Sequence, residues 1–560
     1  MHKKGYFVPK CPPLKTGKLM SASYATLKKR DAIMGRPTVA VIGCGPFGLA
    51  TLKNLLEEDF DATAFDKRHS IGGVWEFNEN VNYTSTLPTT VSNVSKYKSC
   101  FTDFPVPDDM PVFLSASQVS DYLKSYAQHF DLYRHIRFNT EVRKVERDAD
   151  NTKWQLYLSG EKGEEVIDYD KVVFCSGLTA LSRVPNIEGI QQFAGKVIHS
   201  QAFKHPSDFA GMKALVVGLG NSAVDTCTEL VGFAEKVYVS HRHGMNIFPR
   251  YCKGKPLDFH IRRRDEAIKH ALAAIAPGLS KKLLDMYVQR LTKESFNLDP
   301  AWRIHPPPSI LTHQPTISDS FVDCLQDGSI SSVVGIRRFR NGNSVELVDG
   351  SVIAVDAVIF GTGYLPDFGI FAGQDLTSDP TTSEHGDLGY DWGYRLPFPR
   401  LYQNIFPPEY SDSIAFLNNW AFAVGTFPIA DLASMAIAQV WRGTFALPSR
   451  EDMDREIDVN HLWLRSLAKE ESVYPAIVPE GPWLHWLHKA AGTGVNENLG
   501  YGLQGWLFWF CNPRFCNLLM GGVASVHTFR LFDGRRKKWQ GAKDAILRAN
   551  DNAKLYIEKH

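Results

Sequence analysis

Residues 38–48 read TVAVIGCGPFG, Thr38 to Gly48, and residues 214–223 read ALVVGLGNSA, Ala214 to Ala223. Each is an unbroken apolar run, the mark of a parallel strand buried on both faces, followed by closely spaced glycines. Gly43, Gly45 and Gly48 in the first and Gly218, Gly220 and Ala223 in the second give the tight turn, the close backbone approach and the helix packing that a dinucleotide pyrophosphate needs. The helix that follows each turn, from about Phe47 and from Asn221 with Ser222 in its first turn, presents its positive end to the phosphates. Two such stretches in one chain predict two bound dinucleotides, facing one another for electron transfer.

Both stretches continue as β-α-β units. The first ends its second strand, Ala62 to Asp66, on a carboxylate about 20 residues past the glycines, where it accepts hydrogen bonds from a free ribose. The second ends its strand, Lys236 to Ser240, in Ser240-His241-Arg242-His243-Gly244. A guanidinium there attracts a 2′-phosphate that a carboxylate would repel, so Ser240 and Arg242 predict NADP(H) at the second site.

The remaining composition narrows the class. The chain has 560 residues, 62 Lys plus Arg against 61 Asp plus Glu, and 44% hydrophobic residues. This is a globular balance for two or three domains, with no net field to favour nucleic acid. Nine cysteines without C-x-x-C spacing fit a reducing compartment and no metal site. No apolar run is long enough to span a bilayer. The nearest, Gly505 to Phe510, reads as a buried core segment, with a shallow membrane contact as the lesser alternative. A cytoplasmic protein with at most peripheral membrane contact, possibly a homo-oligomer, is the expectation. Residues 1–36, rich in Lys and without a secretory apolar core, read as a flexible basic extension.

The strand ends Lys171 to Gly177 and Asp356 to Gly363 run into small-residue turns and mark boundaries. They predict a first dinucleotide-binding domain split into 37–206 and 364–560, with a second, 207–363, inserted between. Within the insert, Arg262 to Lys293 reads as a charged helical stretch before Pro306, Pro307 and Pro308, a surface elaboration. The chain beyond about residue 400 is rich in Trp and Phe, with apolar segments at Ile414 to Val424 and Leu432 to Val440, material for a large core or an apolar pocket.

Further blocks give the fold a family. Ile71-Gly72-Gly73-Val74-Trp75, Ser92-Asn93-Val94-Ser95-Lys96, Asp103-Phe104-Pro105, His313-Gln314-Pro315-Thr316, Gly361-Thr362-Gly363-Tyr364 and Trp539 to Leu547 occur in order. Between the two units stands Phe193-Ala194-Gly195-Lys196-Val197-Ile198-His199-Ser200-Gln201-Ala202-Phe203. This string resembles the F-x-G-x-x-x-H-x-x-x-(Y/F) signature of the flavin-containing monooxygenases, and the resemblance covers roughly residues 37 to 552. It implies an α/β fold of two Rossmann-like domains, with the NADP domain inserted into a split FAD domain. It implies FAD at Gly43, Gly45, Gly48, Asp66, Val74, Trp75 and Ser92, and NADPH at Gly218, Gly220, Ser222, Ala223, Ser240 and Arg242. Asn93 matches the family's active-site asparagine, which contacts both cofactors.

The chemistry that the resemblance implies is that of an N,N-dimethylaniline monooxygenase-like enzyme. NADPH reduces FAD, O2 adds as a C4a-hydroperoxyflavin, and one oxygen passes to a soft nitrogen or sulfur nucleophile of a lipophilic molecule. Phe203 departs from the commoner tyrosine and is not the tryptophan that marks Baeyer-Villiger enzymes. The alternatives are a Baeyer-Villiger monooxygenase on ketones, an NADPH oxidase releasing H2O2, and a non-enzymatic dinucleotide-binding redox sensor.

Overall fold

The computed structural model describes residues 35–161, 163–365, 369–371, 399–417, 425–468, 473 and 476–559. Residues 1–34 of the basic extension and the 418–424 part of the apolar run at 414–424 lie outside the described residues.

Two five-stranded parallel sheets organise the chain. Their strands are β1 (Thr38–Ile42), β2 (Asp61–Phe65), β3 (Ile136–Arg137), β4 (Lys171–Phe174), β5 (Lys196–His199), β6 (Lys213–Val217), β7 (Lys236–His241), β8 (Ile330–Val334), β9 (Ala357–Phe360) and β10 (Ile414–Phe416). The first sheet has the order β10-β4-β1-β2-β3 and the second β8-β7-β6-β9-β5. Every strand of the second sheet falls in sequence between β4 and β10, so the second α/β unit is inserted into the first. Its sheet begins ahead of residue 207, because β5 pairs with the edge of β9, Phe360 opposite His199.

Period-two alternation explains why these runs are apolar throughout. Val39 and Val41 of β1 face a core shared with the helices, whereas Ala40 and Ile42 face Trp154, Leu156 and Leu158 of an antiparallel sheet on the other side. The second unit repeats the device. Ala214 and Val216 meet Val224 and Cys227 of the helix after the glycines, and Leu215 and Val217 meet Ile336, Val345 and Leu347 of a second antiparallel sheet.

The helices used below are α1 (Pro46–Glu57), α2 (Asn221–Leu230), α3 (Arg263–Ile275), α4 (Pro277–Ser295), α5 (Thr426–Trp441), α6 (Leu503–Cys511) and α7 (Pro513–Gly521). The charged helical stretch expected over 262–293 is made of two helices, α3 and α4, divided at Ala276. Pro277 forces the break, since proline disfavours a helical residue before it and starts a helix readily. Helix α5 is buried along almost its whole length, and it packs against α1 behind the first sheet.

The expectation that 505–510 is core is overturned. On α6, Leu503 is 80% and Phe510 78% exposed, and Trp506, Leu507 and Trp509 are exposed as well. The physical reason is Gly505. A Cβ there would lie 1.8 Å from the Gly500 carbonyl oxygen, so the helix docks through its smallest residue and turns its largest outward.

Candidate functional site

The first glycine turn closes on itself with no room for side chains. Gly43 has a φ of 102°, and a Cβ there would lie 2.6 Å from the Cys175 carbonyl oxygen. Gly45 caps α1 without a side-chain partner, leaving first-turn N–H groups for an anion. A Cβ on Gly48 would fall 1.8 Å from the Gly43 carbonyl oxygen, so only glycine lets α1 sit this close to the turn.

The Gly-Gly-Val-Trp turn lies directly against this fingerprint. A Cβ on Gly73 would come 3.0 Å from the Cα of Gly45, and the Gly72 N–H donates to the Cys44 carbonyl at 3.2 Å. The Val74 carbonyl accepts from the Thr86 N–H at 2.7 Å, and Trp75 stands edge-on to Phe427, 6.4 Å between ring centres. Asp66 accepts from the N–H groups of Cys44 at 2.7 Å and Arg68 at 2.9 Å. A carboxylate offers about four acceptor positions, so capacity for a ribose remains. Burial raises the Asp66 carboxyl, and these two backbone bonds offset part of the rise. Arg68, not singled out from the sequence, holds the turn through the carbonyls of Gly73 and Thr84.

Asn93 stands on the seam between the two units. Its Nδ2 donates to Asn221 Oδ1 of α2 at 3.0 Å, and its Oδ1 accepts from Arg250 at 3.0 Å. Asn221 Oδ1 also accepts from the Ile317 N–H at 2.9 Å, so the amide orientations are consistent around the contact. Arg250 is anchored in turn by Asp319 at 2.8 Å and by the carbonyls of Val91 and Ser92. The Ser92 hydroxyl donates to the Val94 carbonyl at 2.8 Å, and Lys96 Nζ to three carbonyls, of Pro107, Asp108 and Met110. The Ser-Asn-Val-Ser-Lys block is thus a rigid corner of the first unit held against the second. Arg250 gave no sequence signal, because its partner Asn93 is 157 residues away.

In the second unit Gly218 has a φ of 120°, and its Cβ position is 2.7 Å from the Gly361 carbonyl oxygen. Gly220 caps α2 without a side chain, and nothing lies within 4 Å of its Cβ position. Ala223 is fully buried, and a Cβ on Gly361 would lie 2.5 Å from the Ala223 Cβ, so this pair sets the helix-to-strand distance. A cleft of about 560 Å³ opens beyond the turn, with Gly218, Ser240, Arg242, His313, Thr362 and Tyr364 on its wall. The Ser240 hydroxyl is committed inside the sheet, donating to the Val334 carbonyl at 2.9 Å. Arg242 is exposed at the cleft, its Cγ 2.7 Å from the Cβ position of Gly335. Ser222 is exposed in the first turn of α2, and its carbonyl accepts from Thr226 at 2.7 Å. The cleft wall also includes Arg183, a cation the sequence reading passed over.

The signature between the units is a structural corner. His199 Nε2 meets the Gly363 carbonyl at 3.0 Å while Nδ1 accepts from the Gln201 N–H at 3.1 Å, which makes Nε2 the protonated nitrogen. Burial pushes the imidazole down to about 4, so it is neutral at physiological pH. Tyr364 stands edge-on to it at 5.0 Å. Nearby Lys204 donates to the Tyr83 carbonyl and to Ser85, and burial, with the charge of Arg68, lowers it to about 8. Phe203 is core, packed on Phe209 at 5.4 Å.

The predicted residues therefore form two groups, Gly43, Gly45, Gly48, Asp66, Val74 and Trp75 around one turn and Gly218, Gly220, Ser222, Ala223, Ser240 and Arg242 around the other, with Ser92 and Asn93 at the seam. The fit to two dinucleotides rests on the uncapped ends of α1 and α2 and on glycine faces that a single Cβ would fill.

Comparison with known proteins agrees with this geometry. The family model described as Flavin-binding monooxygenase-like matches residues 36–559. Monooxygenase aurF of Gibberella zeae is 41% identical over 521 residues, 92% of this chain and 98% of that protein. Flavin-containing monooxygenase 3 of Homo sapiens is 30% identical over 522 residues, 91% of each chain. Among solved structures, S-allyl-L-cysteine S-oxygenase from Allium sativum superposes with a TM-score of 0.60 at 21% identity, covering 94% of this chain and 99% of its own. An open cyclohexanone monooxygenase gives 0.58 at 16%, over 81% and 98%. These two share the fold. The family match over nearly the whole chain, joined to the paired glycine turns, means that this chain belongs to the flavin-binding monooxygenase-like family and is a flavin-dependent monooxygenase using FAD and NADPH.

Proposed function

We propose that the enzyme transfers one oxygen atom of O2 to a soft nucleophile, a nitrogen or sulfur centre of a lipophilic small molecule. The observation that carries this reading is the bridge from Asn93 to Asn221, which joins the two dinucleotide units at a neutral amide. Bound FAD, reduced by NADPH, supplies the redox and oxygen-transfer chemistry. The chain's own task is to bind, orient and keep out water. The first-turn N–H groups of α1 and α2 would hold the two pyrophosphates, and Asp66 would hold the first ribose. Arg242, exposed on the cleft wall, would meet the 2′-phosphate of a nucleotide at the second site.

Asn93 is fixed at both ends of its amide, by Asn221 and by Arg250, so its orientation is set before any ligand arrives. An amide there adds neither charge nor a basic site that would draw protons during oxygen transfer. Trp75 and Phe427, the latter stacked on Phe101 at 5.4 Å, give an apolar wall behind the glycine turn that excludes bulk water.

The test is stoichiometric. Flavin-loaded enzyme is given NADPH, O2 and, in parallel, a thioether, a tertiary amine and a ketone of similar lipophilicity. S- or N-oxide formed in near-equal amount to NADPH consumed is the expected result. Ester formed from the ketone alone, or H2O2 accounting for all the NADPH in every vessel, would overturn it.

A further inference from the structure

Helix α6 carries a continuous apolar stripe on its outer face. Leu503, Trp506, Leu507 and Phe510 follow i, i+3, i+4, i+7 spacing and are 80, 56, 48 and 78% exposed. Trp509 flanks them, edge-on to Trp506 at 6.2 Å. The helix meets the protein through Gly505 and through Phe508, whose ring contacts Phe532 at 5.2 Å. Single exposed apolar residues are ordinary, but a contiguous stripe with two tryptophans marks a contact surface.

Charge selects the occupant. No acidic residue occurs between Glu497 and Asp533. Exposed Arg514 follows α6 directly, whereas Lys537 and Lys538, beyond the Phe532 on which α6 leans, are paired with Glu57 at 3.8 Å and with exposed Asp533 at 3.4 Å. Exposed Lys543 lies over the Phe515 ring of α7 at 5.4 Å. An apolar stripe of Trp, Leu and Phe bordered by Lys and Arg is complementary to a bilayer with anionic headgroups. A second copy docked through the same stripe would bring like charges together, because a two-fold contact sets each patch beside its equal. Nine residues are far short of the roughly 20 needed to span a bilayer, so the helix lies in the interface.

We propose that α6 is an interfacial anchor that seats the enzyme on an anionic lipid surface, with Trp506 and Phe510 entering the headgroup boundary and Arg514 and Lys543 meeting the lipid charges. This does not depend on the substrate reading above.

The experiment is flotation of full-length, flavin-loaded protein with vesicles of phosphatidylcholine containing about a third phosphatidylserine. The wild type floats with these vesicles, and its affinity falls roughly tenfold or more in pure phosphatidylcholine or in high salt. Trp506→Ser/Phe510→Ser binds at least about tenfold more weakly, with flavin content and NADPH oxidation unchanged. Should that variant lose its flavin, Arg514→Glu/Lys543→Glu decides, and it floats poorly on the anionic vesicles. Failure of the wild type to float, flotation insensitive to both variants, or a wild-type dimer that Trp506→Ser/Phe510→Ser makes monomeric without any vesicle binding would each overturn the anchor.

Discussion

Asn93 and Arg242 act by different physics, and single substitutions separate them. Asn93→Ala removes both hydrogen bonds across the seam, to Asn221 and from Arg250, but leaves the glycine turns intact. The expected variant stays yellow and consumes NADPH, yet releases H2O2 in place of oxygenated product; unchanged coupling of NADPH to product would remove Asn93 from its role. On the proposed reading Arg242 would give the 2′-phosphate a charge-assisted contact, worth about 1.5–3 kcal/mol. Arg242→Ala should therefore raise the Kd for NADPH by roughly ten- to a hundredfold and leave NADH binding alone, as titration calorimetry with both nucleotides would measure. An equal loss for the two nucleotides would show that the guanidinium does not read the phosphate.

At the scale of elements, the strand, glycine turn and helix were legible because each part has a local physical need. A parallel strand buried on both faces must be apolar at every position, as Val39 to Ile42 and Ala214 to Val217 are. The turn must lack side chains, and Gly48 shows how strictly. Gly48→Ala puts a Cβ into the Gly43 carbonyl, where only backbone movement gives relief, so α1 must back away from the pyrophosphate. The expected protein folds with its flavin occupancy reduced at least about tenfold, read by absorbance, and the overpacking costs about 1–3 kcal/mol. What stayed hidden in the sequence was direction and distance. The composition of α6 suggested core, and only the glycine within it shows which side turns inward. Arg250 and Arg68 act through partners that no local pattern reveals. The far end of α1 adds a pH dependence. Burial, with the neighbouring charge of Glu57, raises the Glu58 carboxyl to about 7. The native state then binds a proton that the unfolded chain releases, so Glu58 lowers stability as pH rises from the usual carboxylate range to about 7. Glu58→Gln should flatten that decline, and melting curves between those limits that keep the wild-type slope would refute it.

Across the whole molecule, the far ends of the chain meet in a buried ionic cluster behind the first sheet. Arg530, 1% exposed, contacts Glu57 of α1 at 2.8 Å, Asp103 at 3.2 Å and Asp431 of α5 at 3.7 Å. Lys53 of α1 adds a contact to Glu57 at 3.0 Å and another to Asp103. Asn54 donates to Asp431 at 2.7 Å, and the Thr102 N–H donates to its other oxygen at 2.9 Å. Helix α1, whose uncapped first turn is proposed to receive the first dinucleotide, is thus tied to α5 and to the C-terminal region by the same guanidinium. Burial works against Glu57 and Asp103 ionising, but Arg530 and Lys53 outweigh it and hold both carboxyls below the ordinary range. In the wild type this stability is present above the usual carboxylate pKa and is lost as pH falls through the depressed values. Arg530→Met leaves three buried carboxylates facing one lysine, and breaking a buried pair from one side costs about 3–5 kcal/mol. The sign of the pH dependence then reverses, because carboxyls without their cation are raised above the unfolded values and the penalty is relieved by protonation. Thermal melts followed by flavin release should show the variant well below wild type at alkaline pH, with the gap narrowing steadily towards acid. A gap constant with pH would mean that Arg530 supports this region by packing alone, and that the ionic tie between α1, α5 and the C-terminal region does not set the stability of the flavin site.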